Sequence, residues 1–319
     1  MNVLPSRELG TTLDNPRTAH DIVRDAKINE EIQKVHLYKG DGSQVEGYMG
    51  LTYGDHLTGI VSPKYPVIQV EESIDATLGD LIKSGKLLPQ EAGILRKGKK
   101  IWLASRIDIP NIEIVPGDPV EPRIMSLFNN DGKGAWLHVL TTRRIGCENS
   151  YDIVVRNRDE LSQSVRIVHK GSPLQKAKID GQIFCQASES FIAWSRQAKE
   201  LTEKGPDKEE RRFYLNTLFP TKKDTKRDVA RVTRESVNRL SVYGQGQRGS
   251  EIRGSYWALF NGVTEHLDHK KTYKNTQNAT RAENRFENVY LKGNSSKKKE
   301  EAFNLALTMA RGEEVLVEN

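Results

Sequence analysis

Turn residues divide the first half of the chain into short extended runs, and the pattern changes to helical spacing in the second half. Ile32–Tyr38 and Gln44–Tyr53 are predicted to form a hairpin, because Asp41-Gly42 between them supplies the positive φ that such a turn requires. Leu57–Ser62 and Val67–Val70 continue in extended form. A helix is predicted from Glu71 to Ser84, where Gly85 ends it.

Three candidate strands at short spacing follow this helix and predict an antiparallel meander. They are Lys100–Ile107, Val120–Phe128 and Ala135–Arg143, the last two joined by N-N-D-G-K-G. Asn149 or Ser150 is expected to cap a short helix that runs to about Val155. One more strand is expected at Val165–His169.

Helices dominate the remainder of the chain. The pattern predicts them at Leu174–Lys204, Asp207–Leu218, Asp224–Val242, Ser255–Lys271 and Lys297–Arg311. The predicted fold class is α+β, an antiparallel sheet meander with packed helices followed by a mainly helical C-terminal part. Its 319 residues suit two domains, which we place at residues 1–172, a mixed sheet domain with basic strand ends, and 173–319, a helical domain with basic segments and an acidic tail.

Composition favours a globular cytoplasmic protein. Hydrophobic residues make up 36% of the chain and charged residues 29%, and no apolar run approaches the ~18 residues that would span a bilayer. We expect no membrane association and no signal peptide. The two cysteines, Cys147 and Cys185, are interpreted as small buried apolar residues, and no cofactor is expected.

Positive charge is unevenly distributed, although the net charge is only +6. The segment 94–106 has five basic residues and no acid, 222–239 has seven against three, and 270–299 has nine against two. Such segregation is typical of a surface that binds a polyanion. The alternative is that these are solvated helix faces.

Three segments of the sequence carry a resemblance to a known family. They are the basic strand-turn-strand VEPRIMSLFNNDGKGAWLHVLTTRRIGCENS (120–150), the helix opening IRGSYWALFNGVTEHLDH (252–269), and LGDLIKSGKLLPQEAGILRKGKKIWLASRI (78–107). Their order matches that of the phage/plasmid-like proteins of unassigned function, so the resemblance covers most of the chain. It includes an arginine-cysteine-asparagine turn at Arg144, Cys147 and Asn149.

The basic, aromatic-interleaved sheet predicts a site for single-stranded nucleic acid. Cations neutralise phosphates and flat rings stack on bases. Lys99, Lys100, Arg143 and Arg144 are expected at adjacent strand ends. The full set of candidate contacts is Lys99, Lys100, Trp102, Arg106, Trp136, Arg143, Arg144, Asn149, Arg248, Arg253 and Trp257. The alternative for Trp102 and Trp136 is that they are core residues.

Two further motifs are weaker. Gly93–Lys100 fits seven of eight positions of a phosphate-binding loop, but Lys100 replaces the Ser or Thr and the segment enters a strand instead of a helix. We therefore interpret Gly98 as a turn residue. His266, Asp268 and His269 are weak metal-ligand candidates, and the alternative is that they flank an apolar helix stripe.

The leading hypothesis is an ATP-independent protein that binds and anneals single-stranded DNA as a homo-oligomer, in a ring or filament. In outline the predicted architecture is similar to the phage annealing proteins of the Red-beta, Erf and RecT groups, which implies a role in phage or plasmid DNA recombination. Two alternatives stay open, an interaction or counter-defence protein of a mobile element and a metal-dependent nucleic-acid enzyme. The loop Tyr243–Gly254, which carries Arg248 and Arg253, is expected to be exposed and to close over a bound strand or a neighbouring subunit.

Overall fold

A computed structural model describes residues 9–145, 149–152, 164–167, 181–221, 229–244, 252–291 and 293–314. Its main sheet contains the strands β1 (Gly10–Thr12), β5 (Leu87–Leu95), β6 (Lys100–Ile107), β7 (Ile112–Glu113), β8 (Pro119–Asn129), β9 (Trp136–Arg144), β10 (Ser150–Asp152) and β11 (Ser164–Ile167). The sheet is antiparallel, with strand order β1-β5-β6-β8-β9-β10; β7 also pairs with β8, and β11 with β9.

A second, three-stranded sheet is formed by β2 (Ile32–Tyr38), β3 (Gln44–Tyr53) and β4 (His56–Val61). The hairpin between β2 and β3 is confirmed at the predicted bounds, and Gly42 in its turn has φ +82°. One face of this sheet buries Leu51, Tyr53 and Val61 against the rest of the protein.

Helices follow each sheet segment and dominate the C-terminal part. They are α1 (Ala19–Asp25), α2 (Val70–Lys83), α3 (Gly181–Glu203), α4 (Lys208–Leu218), α5 (Val229–Tyr243), α6 (Tyr256–Glu265), α7 (Arg281–Tyr290) and α8 (Asn294–Arg311); α6 continues as a π-helical turn, His266–Lys270. None of the described helices is both long and apolar enough to cross a bilayer. The α+β class is confirmed.

Most predicted elements are present. The meander strands β6, β8 and β9 agree with prediction to within one or two residues, and β4, α2, α4, α6 and α8 are recovered with small shifts at their ends. The starts of the predicted helices at 174–180 and 224–228, and the last residues of the strand at 165–169, lie outside the described residues.

Two predictions of local structure are wrong. Ser150–Asp152 forms strand β10 along Thr141–Arg143 instead of a helix, because the side chain of Asn149 bonds to α6 rather than capping a turn. The extended form predicted for Val67–Val70 fails at Val70, which begins α2. Gln69 is extended, with φ −73° and ψ 158°, and its side chain bonds to the backbone of Ile32. Residues 153–155 lie outside the described part.

Each face of the main sheet is covered. One face joins the main hydrophobic core, which includes residues as distant in sequence as Leu13 and Ala310. The other packs Trp102, Met125 and Leu127 against Phe286 and Val289 of α7. The core therefore contains residues from both predicted domains, while the boundary at 172 lies outside the described residues and stays a prediction.

Candidate nucleic-acid interface

A basic turn joins β5 to β6 and is held in an unusual conformation. Arg96, Lys97 and Gly98 have φ values of +52°, +55° and +88°, in the left-handed region that is costly for residues with a side chain. Gly98 is required because a Cβ there would overlap the ring of Tyr53 in the small sheet. The backbone of Asn130 donates to the carbonyl of Lys99 at 2.8 Å. The turn is thus fixed between the two sheets.

Helix α7 neutralises two of the cations on this turn. The Arg96 guanidinium lies 2.5 Å from Glu287, and Lys100 Nζ lies 3.0 Å from the same carboxylate. The Arg96 amide also donates to Glu283. Burial alone would raise the pKa of Glu283, but backbone hydrogen bonds from Thr280 and Arg96 lower it overall.

Lys97 and Lys99 differ from these two cations. Among the described residues neither forms an ion pair, and Lys97 is exposed while Lys99 is half-buried. Both line a groove of about 510 Å³, with Arg96 beside them. Two positive charges are therefore available to a ligand in the groove.

The opposite wall of the groove is the loop before α7, which carries the amide side chains of Asn275, Gln277 and Asn278. A bridge between Thr276 and Ala279 closes the loop tip, and Asn284 Nδ2 donates to the carbonyl of Lys274 at 2.9 Å. Amide groups both donate and accept hydrogen bonds. Leu57 adds an apolar contact at one edge.

A family model described as "Domain of unknown function (DUF932)" matches residues 57–289. The chain belongs to this family. No curated protein and no solved structure matches the chain. All residues that line the groove lie within the DUF932 domain.

The DUF932 domain also contains a second basic groove, of about 380 Å³, between α4 and α5. Lys208, Arg211, Arg212 and Arg234 line it together with Glu235. Two of these arginines are already hydrogen-bonded to other parts of the protein. Arg211 donates to Ser241 Oγ at 2.9 Å, and burial lowers its pKa; Arg234 donates to the carbonyl of Phe219 at 2.6 Å.

The expectation that the predicted cations lie together is wrong. Lys100 pairs with Asn129 at one end of the sheet, whereas Arg106 pairs with Arg123 at the other end. Six residues of strand separate the two ends, about 20 Å. Arg143 and Arg144 belong to the end that contains Arg106, since they face Glu121 and Val120.

The arginines at that far end face acids. Arg143 lies 3.7 Å from Glu91, Arg106 lies 3.6 Å from Asp108, and a third pair, Arg123 and Glu121, is 2.6 Å apart. Arg144 is 2% exposed and pairs with Asp118. The site for phosphates that was predicted at this end is therefore occupied by acids of the same chain.

The three candidate tryptophans are core residues, so none presents its ring for stacking on a base. Trp102 is fully buried 4.6 Å from Phe286, and Trp136 packs on the edge of Phe128 at 6.0 Å. Trp257 is also fully buried, 6.2 Å from Trp194, and its Nε1 donates to Asp118 Oδ2 at 3.2 Å. The stacking role predicted for them is wrong.

Polar residues of the segments 120–150 and 252–269, which carry the family resemblance, instead form a buried network. Arg144 Nη1 donates to Asn261 at 3.3 Å, and Asn149 Nδ2 donates to Thr264 at 3.1 Å. His269 Nε2 lies 3.2 Å from Asn149 Oδ1. The network joins Arg144 at the end of β9 and Asn149 to α6 and the π-helical turn, so these residues dock the helices onto the sheet.

The metal-ligand candidates bond to three different partners. His266 lies 3.2 Å from Ser236 Oγ, and burial and the charge of Lys271 lower its pKa to about 4. Asp268 is 3.1 Å from Lys299 Nζ, and both side chains are 1% exposed. Within the described ranges no three metal-binding side chains gather. No local feature distinguishes Lys299 as the partner of Asp268, because it lies in a run of three lysines.

Of the two loop candidates, Arg253 is exposed, and Arg248 lies outside the described residues. Ile252, which was expected to be part of an exposed loop, is fully buried. The role of the loop in closing over a ligand stays a prediction.

Proposed function

We propose that the groove between the β5–β6 turn and the loop before α7 binds single-stranded DNA. The observation that carries this proposal is the pair Lys97 and Lys99, which line the groove with no acid of the described chain paired to them. A phosphate backbone that lies along this turn would release condensed counterions. The amides of Asn275, Gln277 and Asn278 are suited to hydrogen bonds with phosphate and sugar oxygens.

The same arrangement supports strand annealing. The free cations would hold the strand by its backbone, and the large aromatic rings of the described sheet core are buried away from the groove. When a strand is held only by its sugar-phosphate backbone, its base edges stay available to a complementary strand. Several linked copies would multiply a weak contact along the strand. We infer a role in recombination of phage or plasmid DNA, because the segments 78–107, 120–150 and 252–269 resemble phage/plasmid-like proteins.

Binding is tested by fluorescence anisotropy with labelled oligo-dT at 50 and 200 mM salt. The double variant Lys97→Ala/Lys99→Ala removes two contacts, each worth about 0.7 in the slope of log K against log salt. The wild type should then lose about sevenfold more affinity than the variant over this fourfold change in salt. The control Arg196→Ala/Lys199→Ala removes the same charge from exposed positions on α3 and should keep the wild-type slope.

Equal losses in the two variants would show a general charge effect and no defined groove. Absence of any binding at 50 mM salt would refute the proposal. Annealing is followed separately with complementary fluorophore- and quencher-labelled strands, without ATP and with a chelator present. The wild type should accelerate annealing, and Lys97→Ala/Lys99→Ala should reduce this acceleration in proportion to lost affinity.

A further inference from the structure

The outer face of the small sheet is apolar and exposed. Side chains of Val35, Leu37 and Leu57 close over Gly50, where a Cβ would lie 2.9–3.0 Å from each of them. Leu57 and Ile60 on β4 are 52% and 54% exposed, and Tyr48 on β3 is 59% exposed. Their registers place them on one side of the sheet. A contiguous apolar patch of this kind marks an interaction surface, whereas scattered apolar residues do not.

We call this apolar patch the sheet face. The segment that forms most of it is acidic. Five exposed acids lie between residues 30 and 56, against two lysines: Glu30, Glu31, Asp41, Glu46 and Asp55, with Lys34 and Lys39. Lys34 also donates to the carbonyl of Pro63 at 2.7 Å. Two sheet faces packed on each other would bring acid against acid, which disfavours a symmetric pair. The sheet face is complementary to a partner surface that is apolar at its centre and basic at its edge.

Helix α5 provides such a surface. Val229, Val232, Arg239 and Tyr243 fall on one side of the helix, and the three apolar side chains are 60%, 57% and 82% exposed. Within the described part of α4 and α5, six basic residues stand against three acids: Lys208, Arg211, Arg212, Arg231, Arg234 and Arg239, with Glu209, Glu210 and Glu235. We call this stripe and its basic border the helix face.

We infer that the sheet face of one copy of the protein docks on the helix face of a second copy. Two different surfaces then meet in a head-to-tail contact, which generates a closed ring or an open filament. The inference is independent of the proposed function, because it needs no nucleic acid. Leu57 borders both the sheet face and the groove, so the groove would lie at the edge of the subunit contact.

The contact is tested by sedimentation velocity from 1 to 100 μM protein without nucleic acid. The variants are Ile60→Glu on the sheet face and Val232→Glu on the helix face, both at exposed positions that tolerate a charge. Wild type should form species larger than a dimer. Each variant alone should stay monomeric up to a concentration at least tenfold higher than that at which the wild type associates. The control Ile192→Glu, on the exposed side of α3, should assemble like wild type.

Mixing the two variants gives the decisive result. Each retains the surface that the other has lost, so an equimolar mixture should form a dimer and no larger species. Self-association of Val232→Glu alone would show that sheet faces pair with each other and would overturn the inference. A wild type that remains monomeric at 100 μM, or a mixture that remains monomeric, would also overturn it.

Discussion

The ion pair between Lys299 and Asp268 offers a sharp test of what docks α8 onto the rest of the protein. Lys299 Nζ lies 3.1 Å from Asp268 Oδ1 and 3.2 Å from the carbonyl of Val289, and both charged side chains are 1% exposed. Lys299→Met keeps an unbranched side chain that is one atom shorter and leaves the Asp268 carboxylate without this cation. Removal of one partner from a buried pair costs about 3–5 kcal/mol.

A loss of this size would lower the melting temperature by roughly 6–15 °C, if each kcal/mol shifts it by about 2–3 °C in a chain of this length. Urea denaturation gives the free energy of unfolding directly. The double variant Asp268→Asn/Lys299→Met removes both charges and should recover a large part of the loss, because no charge is then buried alone. A loss below about 1 kcal/mol for Lys299→Met, or strictly additive effects, would refute this view of the pair.

Two further outcomes follow from the structure. His266 has a folded-state pKa of about 4 against an ordinary value of 6.5, so the unfolded chain binds a proton first and the free energy of unfolding should fall as the pH decreases from 6.5 to 4. His266→Gln should flatten this decline in urea titrations, whereas an unchanged decline would show that other groups cause it. Gly98→Ala should destabilise the protein by about 1–3 kcal/mol, because φ at this position is +88° and a Cβ would overlap Tyr53. It should also weaken oligonucleotide binding. Gly85→Ala is the matched control for backbone strain alone, since Gly85 has φ +73° and no atom near the added Cβ.

Local signals in the sequence predicted most of the fold where they were strong. The Asp41-Gly42 turn located the hairpin, and Gly85 located the end of α2. Strand β5 was missed because Pro89 interrupts its pattern, and the structure places a register shift between Pro89 and Glu91. Helix α7 had a readable signal, the capping box from Thr280 to Glu283, which the basic character of the segment obscured.

The candidate site was harder to predict than the fold. Lys99, which the sequence analysis named as a nucleic-acid contact, lines the groove, whereas Lys97 and the facing loop 275–280 were not named. That Lys99 contacts nucleic acid stays a prediction. A strand that alternates Trp with basic residues does not reveal which face a helix will cover, and α7 covers Trp102. The partners of Arg144, Asp268 and Trp257 are between 26 and 139 residues away in sequence. No local pattern encodes such contacts.

The support of the groove extends beyond the residues that define the family. Gly98 rests on Tyr53, and Asp268 pairs with Lys299, yet both partners lie outside the matched range of 57–289. A protein cut to that range would lose β2, β3 and α8, and with them the sheet under the basic turn and the cation under the π-helical turn. The range 57–289 that matches the family therefore does not include all of the structure that holds the groove, because the supports at Tyr53 and Lys299 come from the flanking segments.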